Sequence, residues 1–114
     1  MLVSKIVSGG QTGVEKDMDE AVKWIRKAAE QGLAEAQWAM AGCYAGGEGV
    51  EKDMGEAVRW YRKAAEQGLA PAQYNLGVCY ISGAGVVPNK QEAMKWLRKA
   101  AKQGHPQAKE ILEN

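Results

Sequence analysis

Trp24, Trp60 and Trp96 are spaced 36 residues apart, and the segments around them, EAVKWIRKAAEQG, EAVRWYRKAAEQG and EAMKWLRKAAKQG, are near copies of one another. Self-similarity at a fixed period of this length is the mark of a repeat architecture, and it restricts the fold more than composition can. A second block recurs at the same offset, AEAQWAMAGCYAGGEGV followed by APAQYNLGVCYISGAGV.

Both blocks read as helices. In the first, Ala21, Trp24 and Ala28, then Ala57, Trp60 and Ala64, fall at the spacing of three and four residues that lines one helical face. Asp17 with Glu20, Asp53 with Glu56, and Asn89 with Glu92 have the form of capping boxes, an acceptor followed three residues later by a glutamate. Gly32, Gly68 and Gly104 stand just past the alanine pairs, where a left-handed C-cap is needed. The second block carries Ala36, Met40, Cys43 and Tyr44, then Ala72, Leu76, Cys79 and Tyr80, as one apolar stripe. It ends in glycines that break the helix. Helices are therefore expected near 18–31, 35–45, 54–67, 71–81, 90–103 and 106–112.

A single hairpin of this kind cannot bury its apolar face, so successive hairpins must stack into a continuous core. A buried tryptophan removes roughly 150 to 250 Å² from water, worth about 4 to 6 kcal/mol as an upper bound. Trp24, Trp60 and Trp96 are accordingly the expected anchors of the stack, joined by Tyr44 and Tyr80 on the second helices. The alanine pairs Ala28-Ala29, Ala64-Ala65 and Ala100-Ala101 keep one helix face thin, so that neighbouring backbones approach.

Composition narrows the function. A chain of 114 residues with 15 basic and 14 acidic side chains has a formal charge of +1, so no overall field draws in nucleic acid or an anionic membrane. No apolar run of signal-peptide or membrane-spanning length occurs, and the expected location of the chain as given is cytoplasmic, an exported parent protein being compatible with the same residues. Cys43 and Cys79 occupy the same site in successive repeats. Equivalent helices lie roughly 8 to 10 Å apart, whereas a disulfide needs Cα atoms within about 7 Å. Both read as reduced, buried, small apolar residues. With one histidine, His105, the ligand spacing of a metal site is missing, and neither metal nor cofactor is expected.

The run WYRKAAEQGLAPAQYNLGVCYISGAGV resembles the Sel1-like repeat, a relative of the tetratricopeptide repeat built from paired antiparallel helices. The resemblance covers about residues 14 to 114. The chain starts inside one repeat and finishes inside another, and at the last inter-helix loop VVPNK replaces the VEKDM of the copy before it. The resemblance implies an all-α solenoid of about three repeats, framed as 14–49, 50–85 and a partial 86–114, in one domain. It also implies a scaffold that binds protein or peptide rather than an enzyme, with no cofactor and no role toward nucleic acid or membrane. Its oligomeric state is expected to be monomeric, or weakly self-associating through the repeat ends.

Residues 1–13 do not follow the repeat. Leu2, Val3, Ile6 and Val7 fit one face of a short helix covering the end of the stack. Alternatively, KIVSGGQTGVE resembles the opening of molybdenum-carrier proteins, in which a glycine-rich loop cradles an anion. Ser8, Gly9, Gly10, Gln11, Thr12 and Gly13 would then bind an anion or nucleotide, although the parallel sheet such a loop needs has no counterpart in the rest of the chain.

Catalysis finds little support. His105 sits between Gly104 and Pro106 at a helix start and reads as a solvated turn residue. The basic residues Lys23, Arg26 and Lys27, with their copies, read as a solvated face partly neutralised by Glu30 and Glu66 four residues after Arg26 and Arg62. The better binding candidates are on the other helix set, which in similar solenoids lines the inner, concave surface. Trp38 and Tyr74 lie off the apolar stripe, one repeat apart, as partner anchors or as packing against the next repeat. Gln37, Gln73 and Asn75 beside them offer amides to a peptide backbone.

Overall fold

The computed structural model describes residues 17–114, and among them the chain forms six helices and no strand. They are α1 (17–30), α2 (Ala34–Gly46), α3 (Met54–Glu66), α4 (Ala70–Ser82), α5 (Lys90–Lys102) and α6 (Pro106–Glu113). Each expected helix is present within a residue or two of its expected bounds. Consecutive helices pack in sequence order, α2 on α3, α3 on α4, α4 on α5 and α5 on α6. The stack measures 56 × 32 × 27 Å with a radius of gyration of 16.7 Å. A compact domain of similar length would have about 13 Å. The molecule is an all-α, α/α solenoid.

The start and stop signals work as the residue types dictate. Asp53 and Asn89 adopt extended backbone before α3 and α5, and the Oδ1 of each accepts the amide of Glu56 or Glu92 at 3.1 Å. Asp17, expected to cap in the same way, is already helical where the described residues begin. The chain leaves α3 through a Schellman motif: the Gly68 amide donates to the Ala65 carbonyl at 2.9 Å and the Leu69 amide to the Ala64 carbonyl at 3.2 Å. Gly32 and Gly104 repeat that pattern on Ala28-Ala29 and Ala100-Ala101, with φ near +95° at all three glycines. The alanine pairs thus provide the accepting carbonyls as well as a thin face.

Burial along α1, α3 and α5 shows which way each face looks. Ala57, Trp60 and Ala64 are buried, as are Ala93, Trp96 and Ala100, but in α1 the equivalent Ala21 and Trp24 are exposed and Ala28 is only half-buried. The opposite holds one residue further on. Val22 and Val58 are buried where Met94 is half-buried, and Ala29 and Ala65 are buried where Ala101 is half-buried. The tryptophan face therefore packs backward on the preceding helices, and the other face packs forward on the following ones. Trp60 and Trp96 anchor the core at 6% and 4% exposure, whereas Trp24 is 64% exposed and is not an anchor, because no described helix stands behind α1.

Tight loops set the spacing of the repeats. The Asp53 amide donates to the Tyr44 carbonyl at 3.0 Å and the Asn89 amide to the Tyr80 carbonyl at 2.9 Å, closing the two long loops in the same way. Gly85, at φ +73°, lies so close to the start of α3 that a Cβ there would collide with the Met54 carbonyl. The fully buried large side chains Met40, Leu76 and Leu97 fill the space between successive helices.

Candidate partner-binding surface

Helices α2 and α4 carry a single charged side chain between them, Glu35, so the face they share is one of aromatic, amide and small residues. On it the Trp38 Nε1–H donates to Asn75 Oδ1 at 2.8 Å across the two helices. The indole keeps 39% of its surface in solvent, so the hydrogen bond fixes its orientation while leaving its face free. One repeat on, the half-buried Tyr74 stacks on the His105 ring with centroids 4.6 Å apart and planes 21° from parallel. His105 is more than a turn residue: its Nδ1 accepts the Ala108 amide at 3.3 Å and caps α6. Trp38, Asn75 and Tyr74 are thereby brought together on one face, each held by a partner.

Gln37 and Gln73 do not join that face. They are 6% and 4% exposed, and their amides bond inside the stack. Each donates to a backbone carbonyl of the preceding helix, Gln37 to Ala29 and Gln73 to Ala65, at 3.2 Å. Each side-chain oxygen then accepts from a glutamine of the following helix, Gln67 onto Gln37 at 2.8 Å and Gln103 onto Gln73 at 3.0 Å. Gln67 and Gln103 also donate to the Gly32 and Gly68 carbonyls at 2.8 Å. A buried amide must have its hydrogen bonds met, and this ladder meets them by tying each repeat to its neighbour. The signal in the sequence is the Gln-Gly pair that recurs at 31, 67 and 103, in which the glutamine recurs as regularly as the C-capping glycine.

Nor do the basic residues pair as expected. Arg26 donates to the Tyr44 hydroxyl at 3.0 Å, and Arg62 donates to the Tyr80 hydroxyl, each guanidinium standing over the tyrosine ring. Tyr44 and Tyr80 are half-buried and serve as anchors through these arginines. The ion pairs formed are Arg59 with Glu56 at 2.8 Å and Lys95 with Glu92 at 3.5 Å, rather than pairs to Glu30 and Glu66. A lysine lies over each of the three indoles spaced 36 residues apart, Lys27 on Trp24, Lys63 on Trp60, and both Lys95 and Lys99 on Trp96. The buried Nε1 atoms of Trp60 and Trp96 have no hydrogen-bond partner among the described residues, so these rings anchor through apolar contact and through the cations above them.

Cys43 and Cys79 are free thiols, Cys79 buried and Cys43 half-buried. Burial raises both thiols above the ordinary range, with Glu48 adding to the effect at Cys43 and Arg26 opposing it. Neither is poised as a nucleophile. The glycine-rich loop 8–13 and the rest of the 1–13 leader lie outside the described residues.

A Sel1 repeat family model matches residues 6–33, 34–69 and 70–105. The chain belongs to the Sel1 repeat family. In that frame α2 and α3 form one Sel1 hairpin and α4 and α5 the next, the two pairs that pack most extensively among helices α2 to α6. The frame is shifted from 14–49, 50–85 and 86–114, and both describe the same period. A Sel1 repeat protein of Oxalobacter formigenes is 46% identical, with a TM-score of 0.77 over 79% of this chain and 37% of its own. A protective antigen of uropathogenic Escherichia coli with an SLR fold is 41% identical, with a TM-score of 0.78 over 79% of this chain and 19% of its own. The cysteine-rich protein B of Helicobacter pylori is 28% identical, with a TM-score of 0.77 over 81% of this chain and 69% of its own. The chain thus spans well under half the length of the first two. No curated protein matches it. No helix among the described residues is long and apolar enough to cross a membrane.

Proposed function

We propose that this chain is a non-catalytic adaptor or scaffold module that holds a protein or peptide on the face of α2, α4 and α6. The observation that carries the reading is the Trp38 indole, fixed by Asn75 yet 39% exposed, with the Tyr74–His105 stack one repeat away. Rigid aromatic rings bring a large contact area at little cost in side-chain entropy, which is why they dominate binding hot spots. The near absence of charge on α2 and α4 favours an apolar or neutral polar segment, whose binding changes little with salt.

The test is affinity capture with immobilised wild-type chain, Trp38→Ala and Tyr74→Ala side by side. A partner retained by wild type and lost from both variants, with the helical circular dichroism of all three alike, supports the face. A partner indifferent to both substitutions removes it from consideration.

A further inference from the structure

Three of the four tryptophans carry a cation from their own helix. Lys27 stands 4.8 Å from the Trp24 ring centroid, Lys63 5.4 Å from that of Trp60, and Lys99 4.9 Å from that of Trp96. The offset is the same each time, a lysine three residues after the indole and so its neighbour on the helix surface. Tyr44 and Tyr80 are covered by Arg26 and Arg62, and Tyr74 by the His105 ring. Trp38 is the exception. Three residues after it stands the fully buried Ala41, and α2 and α4 carry no basic residue at all. Among the described residues no cation lies over its ring.

What stands one turn from Trp38 is the opposite charge. Glu35, three residues before it, is exposed and forms no ion pair among the described residues. Side chains at that offset are neighbours, with Cβ atoms about 5 to 6 Å apart. Because the Trp38 Nε1–H is spent on Asn75, the ring offers its π face, whose negative potential adds to that of the carboxylate. An apolar side chain would cover the ring and leave Glu35 unused. A basic side chain covers the ring with its aliphatic stem and sets its charged head between the indole and the carboxylate.

From this we infer that the α2–α4 face selects a protein segment bearing one basic side chain, a lysine or arginine, whose charged group lies over the Trp38 indole and pairs with Glu35. The inference rests on the reading of this face as the binding surface and adds the chemistry of its partner. The partner completes at Trp38 what the chain completes for itself at Trp24, Trp60 and Trp96. The rest of the segment is neutral, to match α4, and one exposed ion pair leaves the dependence on salt slight.

Pools of short peptides, acetylated and amidated at their ends, test it. Each pool fixes the central residue as Arg, Lys, Gln, Leu or Glu and draws every other position from uncharged residues. Retention is compared on immobilised wild type, Trp38→Leu and Glu35→Gln, both substitutions being at exposed positions, with helical circular dichroism verifying the fold. Wild type is expected to hold the Arg and Lys pools about three- to tenfold better than the Gln pool. Glu35→Gln should lower that preference about twofold, and Trp38→Leu should abolish it. A wild type that holds the Gln or Leu pool as well as the basic ones, with retention lost in Trp38→Leu, overturns the basic partner and leaves the face itself standing. A basic preference undiminished in either variant puts the cation elsewhere and overturns the inference too. Retention of no pool above the level of Trp38→Leu overturns it together with the face.

Discussion

Gln103 donates its side-chain amide to the Oε1 of Gln73 at 3.0 Å, while Gln73 passes its own amide to the Ala65 carbonyl at 3.2 Å. Three successive elements, α3, α4 and the end of α5, are joined through two side chains that differ by 30 residues in sequence. Gln67 and Gln37 make the same connection one repeat earlier.

Breaking the centre of this ladder leaves a buried carbonyl and the Gln103 amide without one partner each. Gln73→Leu keeps the volume and removes the hydrogen bonds, so the expected loss is about 1 to 3 kcal/mol. In a domain of this size that corresponds to a fall in Tm of about 4 to 8 °C per kcal/mol. Gln103→Leu, at an exposed position, should cost less. Urea unfolding of the two variants checks the order. A Gln73→Leu variant as stable as wild type would mean that the ladder fixes register without adding stability.

The tryptophans should separate by position. Trp60→Ala removes a ring that is 6% exposed from the middle of the stack, and a loss of about 3 to 5 kcal/mol is expected. Trp24→Ala removes a ring that is 64% exposed, for about 0.5 kcal/mol or less. Denaturant melts compare them. Equal losses would contradict the backward-facing assignment of the tryptophan face.

Nearly all of the fold was legible because one pattern was written three times. Apolar spacing, Asp53 and Asn89 as caps, and Gly68 as a stop agree with one another, and each error in reading one copy is checked by the next. Position within the stack was harder to read. The segments around Trp24, Trp60 and Trp96 are near copies, and burial of each ring depends on what stands behind its helix. The amides failed for a related reason. Gln37 and Gln73 beside an exposed aromatic look like surface donors, and only the rotation of α2 and α4 turns them inward to Ala29 and Ala65. The change of VEKDM to VVPNK bears on the cavity that Ile81 and Pro88 line, since it brings Pro88 into the cavity wall.

The loop glycines make a further comparison. Gly85 has φ +73° and its missing Cβ would collide with the Met54 carbonyl, whereas Gly32, at φ +97°, has open space around it. Gly32→Ala therefore meets backbone strain alone, about 1 kcal/mol. Gly85→Ala adds displacement of the α4–α5 loop from α3, and its loss should exceed that of Gly32→Ala by about 1 to 3 kcal/mol. Chemical denaturation measures both. A Gly85→Ala variant no worse than Gly32→Ala would show that the loop moves away from α3 without penalty.

Stability should also fall on the alkaline side. Burial raises the thiol of Cys79 and the phenol of Tyr61, with the nearby Cys79 adding to the shift at Tyr61. For both groups the folded chain holds its proton more tightly than the unfolded chain. Below the ordinary thiol value of about 8.5, both states are protonated and the full stability is present. As pH rises past it the unfolded chain releases the Cys79 proton first, and past about 10 the Tyr61 proton, so stability declines until the folded groups ionise in turn. Cys79→Ala should flatten the first part of that decline and Tyr61→Phe the second, in urea midpoints followed as a function of pH. A wild-type midpoint that stays constant through this range would show that neither group is held neutral by the stack, and that the α3–α4 core admits water around both.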